Sequence, residues 1–153
     1  MNHDNKSFAY PLVDVTRLFR KHFDRRAEPL GLTRAQWRAL KAIHRQEGLS
    51  QKALAELLEM EPIPIGRVVD RLQQAEFVER RADPTDRRCW RLYLTAKALG
   101  VVDAMEVISV GLRDDALKNV EETDLDTFVR VLGLMKQNLL ALDDNSPTLR
   151  DLP

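Results

Sequence analysis

The 153 residues of the chain include 24 basic and 24 acidic side chains, and 44% of the residues are hydrophobic. This composition is typical of a globular protein and excludes a disordered or fibrous one. The single cysteine excludes an intrachain disulfide. The polar N-terminus does not resemble a signal peptide, and no apolar run is long enough for a membrane helix. We therefore expect a cytoplasmic protein.

The balanced total conceals an uneven distribution of charge. Residues 1–99 carry 19 basic and 13 acidic side chains, whereas residues 100–153 carry 5 basic and 11 acidic ones. Such asymmetry favours an anionic partner for the basic part, although a chance excess of solvated arginines would give the same pattern.

The first third of the chain predicts two helices. Apolar residues at helical spacing indicate a helix over residues 8–30, which Pro29 and Gly31 end. Thr33 is a suitable N-cap for a second helix over residues 34–46.

Two further helices follow in close succession. Ser50 is expected to cap a short helix over residues 51–59, and Pro62 suits the first turn of another helix that reaches about residue 75. A short helix, a tight turn and a helix with an exposed polar face make a candidate helix-turn-helix.

The hydrophobic period then changes from that of helices to that of strands. The pattern predicts two strands, over residues 77–81 and 89–94. A turn at residues 83–86 joins them, and Arg87 and Arg88 form a basic tip. A hairpin directly after a helix-turn-helix supplies a wing. Each element alone is weak, but their order together strongly indicates a winged-helix protein that places a helix in the major groove of DNA.

The last part of the chain predicts two long helices, over residues 96–118 and 124–142, with Thr95 and Thr123 as N-caps. The final helix has an unusually regular apolar stripe, which indicates packing against another helix. That helix could belong to the same chain or to a second copy, and we expect a homodimer. The expected interface consists of Leu12, Leu125, Phe128, Leu132, Met135, Leu139 and Leu142.

The stretch from residue 49 to residue 95 resembles the winged-helix core of the MarR family of bacterial transcription regulators. The matching segments are Val69-Asp70-Arg71-Leu72, Val78-Glu79-Arg80-Arg81, Asp83-Pro84-Thr85-Asp86-Arg87-Arg88 and Leu94-Thr95. The chain departs from the family pattern at Glu76 and Ala98, where glycine is common. Pro62, Ile63 and Pro64 also stand where many members have small polar residues at the start of the recognition helix.

The resemblance implies a mostly α fold with a small β wing, in which two chains form a triangular homodimer. Residues 32–95 would form the winged helix-turn-helix domain, residues 8–30 and 96–142 the dimerisation helices, and residues 143–153 a flexible tail. The implied function is sequence-specific transcription regulation, as a repressor that a small aromatic acid releases from a pseudo-palindromic operator. The alternative is a winged-helix module for protein contact or DNA architecture without a ligand switch.

The residues expected to contact DNA lie on three neighbouring elements. They are Ser50, Gln51, Lys52, Pro62, Ile63, Pro64, Gly66, Arg67, Arg71, Asp86, Arg87 and Arg88. Some have structural alternatives: Ser50 could be simply an N-cap, Arg71 could form a salt bridge inside the winged domain, and Asp86 with Arg88 could be a plain ion pair.

The resemblance also implies an effector site where the dimer helices meet the winged domain. It would use Phe19, His22, Phe23 and Trp37, although the alternative, a plain hydrophobic core with one partly exposed histidine, is favoured for these residues. The sequence has no catalytic motif and no metal-ligand spacing, so neither an enzyme nor a cofactor is expected. Cys89 is interpreted as structural.

Overall fold

The computed structural model of the chain describes residues 7–144 and contains six helices and one antiparallel pair of strands within them. Their bounds are α1 (Ala9–Ala27), followed by a 3-10 turn (Glu28–Leu30), α2 (Arg34–Arg45), α3 (Gln51–Leu58), α4 (Pro62–Gln74), β1 (Val78–Ala82), β2 (Trp90–Leu94), α5 (Ala96–Ala116) and α6 (Glu122–Asp144). The predicted mostly α fold with a small β wing is confirmed. The greater part of the predicted tail, residues 145–153, lies outside the described residues.

The helix starts follow the capping residues that the sequence offers, with one exception. The Thr33 hydroxyl accepts a hydrogen bond from the amide of Gln36, whose side chain in turn accepts one from the amide of Thr33. Ser50 accepts one from the amide of Ala53. The prediction that Thr123 caps the last helix was wrong, because that helix begins at Glu122.

A reversal at Gly48 brings the end of α2 against the second strand. The residue has a φ of 79°, and a Cβ there would lie 2.9 Å from the Tyr93 hydroxyl. Both facts favour glycine at this position. Its amide donates to the carbonyl of Leu92, and the amide of Leu92 donates to the carbonyl of Leu49, so the segment before α3 runs beside β2.

The hydrophobic core joins α2, α3, α4 and the two strands, and it also includes residues of α1 and α5. Its buried members in these elements include Leu40, Ile43, Leu49, Leu54, Ile65, Val69, Leu72, Val78 and Leu92. In the hairpin, Val78 pairs with Leu94 and Arg80 pairs with Leu92. The core therefore fixes the two helices of the helix-turn-helix and the wing to one another.

The chain divides into two compact units, residues 7–114 and residues 115–144 of the described part. In the second unit, α6 has no buried side chain among residues 122–142. Leu125, Leu132 and Met135 are half-buried, whereas other apolar side chains are exposed. The exposed ones are Phe128, Val129, Val131, Leu134, Leu139, Leu140 and Leu142. Among residues 7–144, no helix is both long and apolar enough to cross a bilayer.

Candidate nucleic-acid interface

The predicted helix-turn-helix is formed by α3, a short turn and α4. The turn is tight because Glu59 adopts a left-handed conformation, with a φ of 53°, and its amide bonds back to the last turn of α3. Pro62 then occupies the first position of α4, where a missing amide N–H costs no helical hydrogen bond. Leu54 and Leu58 of α3 share the core with Ile65 of α4.

The outward face of α4 carries the residues that the sequence predicted to reach DNA bases. Pro62, Ile63 and Pro64 in the first turn are exposed, and so are Arg67 and Arg71 further along. Among residues 7–144, neither arginine forms an ion pair with a carboxylate. The arginines therefore present two positive charges on the same helix as the apolar first turn.

Arg80 of β1 is a positioning residue that the sequence interpretation did not single out. Its guanidinium donates to the Gln51 side chain at 3.0 Å, to the Gln73 side chain at 3.0 Å and to the carbonyl of Gly66 at 3.3 Å. It also forms an ion pair of 2.6 Å with Asp70. One side chain thus links the wing to α4 and to the start of α3.

The signal for Arg80 was present in the alternation of the first strand. Side chains two residues apart in a strand point to the same face, so Arg80 lies on the face of the buried Val78. An arginine on an inward face needs acceptors, and only 17% of this side chain is exposed. The alternation does not reveal which acceptors those are.

Two of the predicted DNA-contact residues face this guanidinium. The Gln51 side-chain oxygen accepts a hydrogen bond from Arg80, and so does the carbonyl of the half-buried Gly66. A Cβ at Gly66 would lie 3.6 Å from the side-chain amide nitrogen of Gln51. The structure therefore places both residues at the junction of α3, α4 and the wing.

The turn of the wing is organised around the buried carboxylate of Asp83. One of its oxygens accepts from the amide and the hydroxyl of Thr85, both at 2.7 Å, and from the amide of Asp86 at 3.1 Å. The other oxygen accepts from Nε of Arg91 at 2.6 Å. These bonds hold the pKa of Asp83 well below its ordinary value, with the Thr85 hydroxyl contributing most.

Arg91 extends this network from the wing to the end of the second helix. Its second donor, Nη1, bonds to the carbonyl of Gly48 at 3.1 Å. Because Gly48 precedes the Ser50 cap of α3, the chain from Asp83 through Arg91 braces the wing against the start of α3. We regard Asp83 and Arg91 as positioning residues for the wing.

The tip of the wing carries Arg87 and Arg88, both exposed. Asp86 accepts from the backbone amide of Arg88 at 2.9 Å, while its carboxylate lies 3.7 Å from Nε of the same residue. With 93% of its side chain exposed, Arg88 has its backbone fixed and its guanidinium extended into solvent.

Cys89, next to the wing tip, donates from its thiol to the Asp86 carboxylate at 3.4 Å. This hydrogen bond raises the pKa of Cys89 and so disfavours the reactive thiolate. Among residues 7–144, no three histidine, cysteine or acidic side chains lie together as metal ligands.

A surface groove of about 520 Å³ brings the three predicted contact elements together. Its lining includes Lys52 at the start of α3, Pro62 at the start of α4 and Arg88 on the wing. Three carboxylates, those of Glu56, Glu59 and Glu61, also line it. Elements from separate parts of the sequence therefore share one surface with a mixed charge.

The residues predicted to bind an effector separate into a buried pair and an exposed pair. Phe23 and Trp37 are buried and in contact, with ring centroids 4.3 Å apart, whereas Phe19 and His22 are exposed. The Trp37 indole donates to Asp24 at 2.9 Å. Trp37 therefore already has a hydrogen-bond partner on α1.

Lys41 lies beside this aromatic pair and was not anticipated from the sequence. Its Nζ sits 4.9 Å from the centre of the Phe23 ring and 2.8 Å from the Ser109 hydroxyl of α5. Burial lowers the pKa of Lys41 from its ordinary value.

Comparisons with known proteins agree with this arrangement. Residues 32–90 match the sequence model of the MarR family. The crystal structure of transcriptional regulator PA3341 is 30% identical, with a TM-score of 0.79 over 88% of this chain and 99% of that one. The crystal structure of MarR is 24% identical, with a TM-score of 0.80 over 95% and 98%. A MarR transcriptional regulator from Methanosarcina mazei Go1 is 22% identical, with a TM-score of 0.78 over 87% and 96%.

Proposed function

The chain belongs to the MarR family of transcription regulators, and we propose that it is a homodimeric repressor that binds a pseudo-palindromic DNA operator and leaves it on binding a small aromatic acid. The observation that carries the DNA-binding part is the shared surface of α3, α4 and the wing, with Lys52, Pro62 and Arg88 on one groove. Helix-turn-helix dimers insert the second helix of each copy into successive major grooves.

The proposed DNA contacts are of three kinds: to phosphates, to the major groove and to the minor groove. Lys52 is exposed at the start of α3, where a helix N-terminus and a positive charge both suit a phosphate. The exposed face of α4 enters the major groove, with Arg67 and Arg71 reaching base edges or the backbone. Arg88 extends from the wing into the flanking minor groove, with Arg87 on the backbone.

The experiment is selection of duplexes from a random DNA library by the full-length protein, followed by fluorescence anisotropy on the recovered sequence. Arg67→Ala should weaken specific binding by about 1–3 kcal/mol and relax the preference at one position in each half-site. Arg113→Ala is the control, because Arg113 is a similarly exposed arginine on α5. Recovery of no preferred sequence would contradict the proposal and favour a module for protein contact.

The homodimer is supported by the exposed apolar side chains of α6 and α1. The exposed apolar residues on α1 and just before it are Phe8, Tyr10, Val13, Val15, Leu18 and Phe19, and Leu12 is half-buried. Large exposed apolar surfaces on a folded chain mark interaction sites. We assign this surface, together with the predicted stripe of α6, to a second copy.

The effector site is assigned to Phe19, His22, Phe23 and Trp37, with Lys41 as the cation for a carboxylate. Aromatic walls with one positively charged group suit a small aromatic acid.

The fluorescence of Trp37 tests this assignment. In a Trp90→Phe protein, Trp37 is the remaining tryptophan, so quenching of its fluorescence by salicylate reports binding in this region. Lys41→Met should remove the quenching, whereas Lys97→Met, which removes a lysine beside the Phe77 ring, should retain it. Absence of quenching across a panel of aromatic acids would favour a regulator without a ligand switch.

A further inference from the structure

The first turn of α4 is poorly suited to binding a phosphate. A helix N-terminus attracts anions through the amide N–H groups that have no partner within the helix. Here Pro62 and Pro64 lack that group, and Glu61 places a carboxylate at the N-cap position without a side-chain capping bond. Of the first three helical residues, Ile63 alone retains an amide N–H.

The same turn presents an apolar tip instead. Ile63 is 71% exposed, and Pro62 and Pro64 beside it are exposed as well. Isoleucine is among the residues most often buried in folded proteins, because exposing its side chain to water is unfavourable. It lies on the face of α4 that also carries Arg67, where a partner of the helix can reach both side chains.

Ile63 and Arg67 are four residues apart and therefore lie one turn apart on the same side of the helix. The first of the two offers methyl groups, and the second offers hydrogen-bond donors. A target that matches both has an apolar group next to acceptors. In the major groove, thymine presents a C5-methyl group, and guanine presents the acceptors N7 and O6.

We propose that Ile63 is a specificity-determining residue that contacts the C5-methyl group of a thymine in each half-site of the operator. The inference rests on the proposed function, since it requires α4 to enter the major groove. Lys52 and the N-terminus of α3, which Ser50 caps, bind the DNA phosphate in place of the first turn of α4. The recognition helix then reads bases with a methyl-to-methyl contact and an arginine one turn away.

The test replaces each thymine of the selected duplex, one at a time, by uracil, which removes the methyl group and keeps the base pair. Binding of the full-length protein is measured by fluorescence anisotropy. At one or two positions in each half-site, uracil should weaken binding about fourfold, the effect of removing one buried methyl-sized group. At the same positions, Ile63→Ser should bind the thymine and uracil duplexes equally.

Val107→Ser is the matched control, because Val107 of α5 is 72% exposed and thus equally accessible. That variant should retain the full discrimination against uracil. Equal binding of all thymine and uracil duplexes by the wild-type protein would overturn the inference while leaving the proposed function in place. Undiminished discrimination in Ile63→Ser would also overturn it, because another residue would then read the methyl group. Failure to select any duplex would overturn the proposed function and this inference together.

Discussion

Arg80 on β1 and Asp70 on α4 form an ion pair of 2.6 Å that ties the wing to the middle of the candidate recognition helix. The guanidinium is largely enclosed, whereas the carboxylate is mostly exposed. The remaining donors of Arg80 bind Gln51, Gln73 and the carbonyl of Gly66. Arg80 therefore helps to fix the orientation of the wing relative to α3 and α4, together with the shared core and the contacts of Arg91 with Asp83 and Gly48.

The first prediction concerns this side chain. Arg80→Ala should lower the free energy of unfolding by about 2 kcal/mol, because two partly buried acceptors, on Gln51 and Gly66, lose a charged donor. The measurement is urea unfolding followed by circular dichroism. Arg81→Ala is the control: Arg81 is more than half exposed and pairs with an equally exposed glutamate, so its removal should lower the free energy of unfolding much less than Arg80→Ala does. Equal losses in the two variants would contradict a central role for Arg80.

Capping residues and proline allowed the sequence to predict the helix-turn-helix, because these signals are local. Thr33 and Ser50 each accept from an amide three residues further on, Pro62 has no N–H to satisfy, and each of the three marks a helix start in the structure. Near Thr123 the sequence contains two signals for a helix start: the threonine itself as an N-cap, and the acidic residues around it. The carbonyl of Glu121 accepts from the amides at positions 124 and 125, and acidic residues suit a first turn, so the helix begins before the threonine.

The sequence predicted which helices and which hairpin form the candidate site, but it did not predict the hydrogen bonds between them. Ser50, Lys52 and Arg88 were named from the sequence and lie on one groove. Gln51 and Gly66 were also expected to meet DNA, yet both face Arg80, which is 29 residues from Gln51 along the chain. Hydrogen-bond partners so far apart in the sequence are determined by how the strand packs against the helices. Local sequence patterns do not contain that information.

The second prediction is that the free energy of unfolding depends on pH in the acidic range. The pKa of Asp83 is lowered in the folded chain from an ordinary value of 3.8, so the folded state favours the ionised form. Its contribution to stability is fully present above the ordinary value and is lost as the pH falls from there through the folded pKa. The free energy of unfolding should therefore decrease below about pH 5, where protonation of the unfolded state begins.

Asp83→Asn tests the assignment of this acid dependence. The variant should be less stable than the wild type at pH 7, because the amide cannot reproduce the carboxylate contacts with Arg91 and Thr85. Its stability should also fall less steeply between neutral pH and pH 3. Urea unfolding at a series of pH values measures both effects. Parallel pH profiles for the two proteins would show that other carboxylates cause the acid loss.

The third prediction concerns association of two chains through α6. Leu139 is 61% exposed in the single chain, so Leu139→Asp should leave the fold of the monomer intact. In a dimer the same aspartate would be buried without a partner, at a cost of several kcal/mol. Sedimentation velocity at micromolar concentration should show a dimer for the wild type and a monomer for the variant. Gln137→Asp adds the same charge at an exposed polar position of α6 and should remain dimeric. A monomeric wild type would refute the assigned interface.

The fourth prediction distinguishes two possible roles for Arg88. A narrow minor groove in A·T-rich DNA concentrates negative potential, so an arginine inserted there gains more than one that lies on a phosphate. The extended guanidinium of Arg88, held at its backbone by Asp86, suits insertion. Arg88→Ala should therefore lose more affinity for selected duplexes with A·T-rich flanks than for those with G·C-rich flanks.

Lys52→Ala provides the comparison for the wing, since a phosphate contact carries no sequence information. That variant should weaken all duplexes alike and reduce the slope of log K against log salt by about one for each phosphate that the protein no longer neutralises. Anisotropy titrations at several salt concentrations, with both flank types, separate the two behaviours. If Arg88→Ala weakened both flank types equally and changed the salt slope as Lys52→Ala does, Arg88 would be a phosphate contact and the wing would not read the groove.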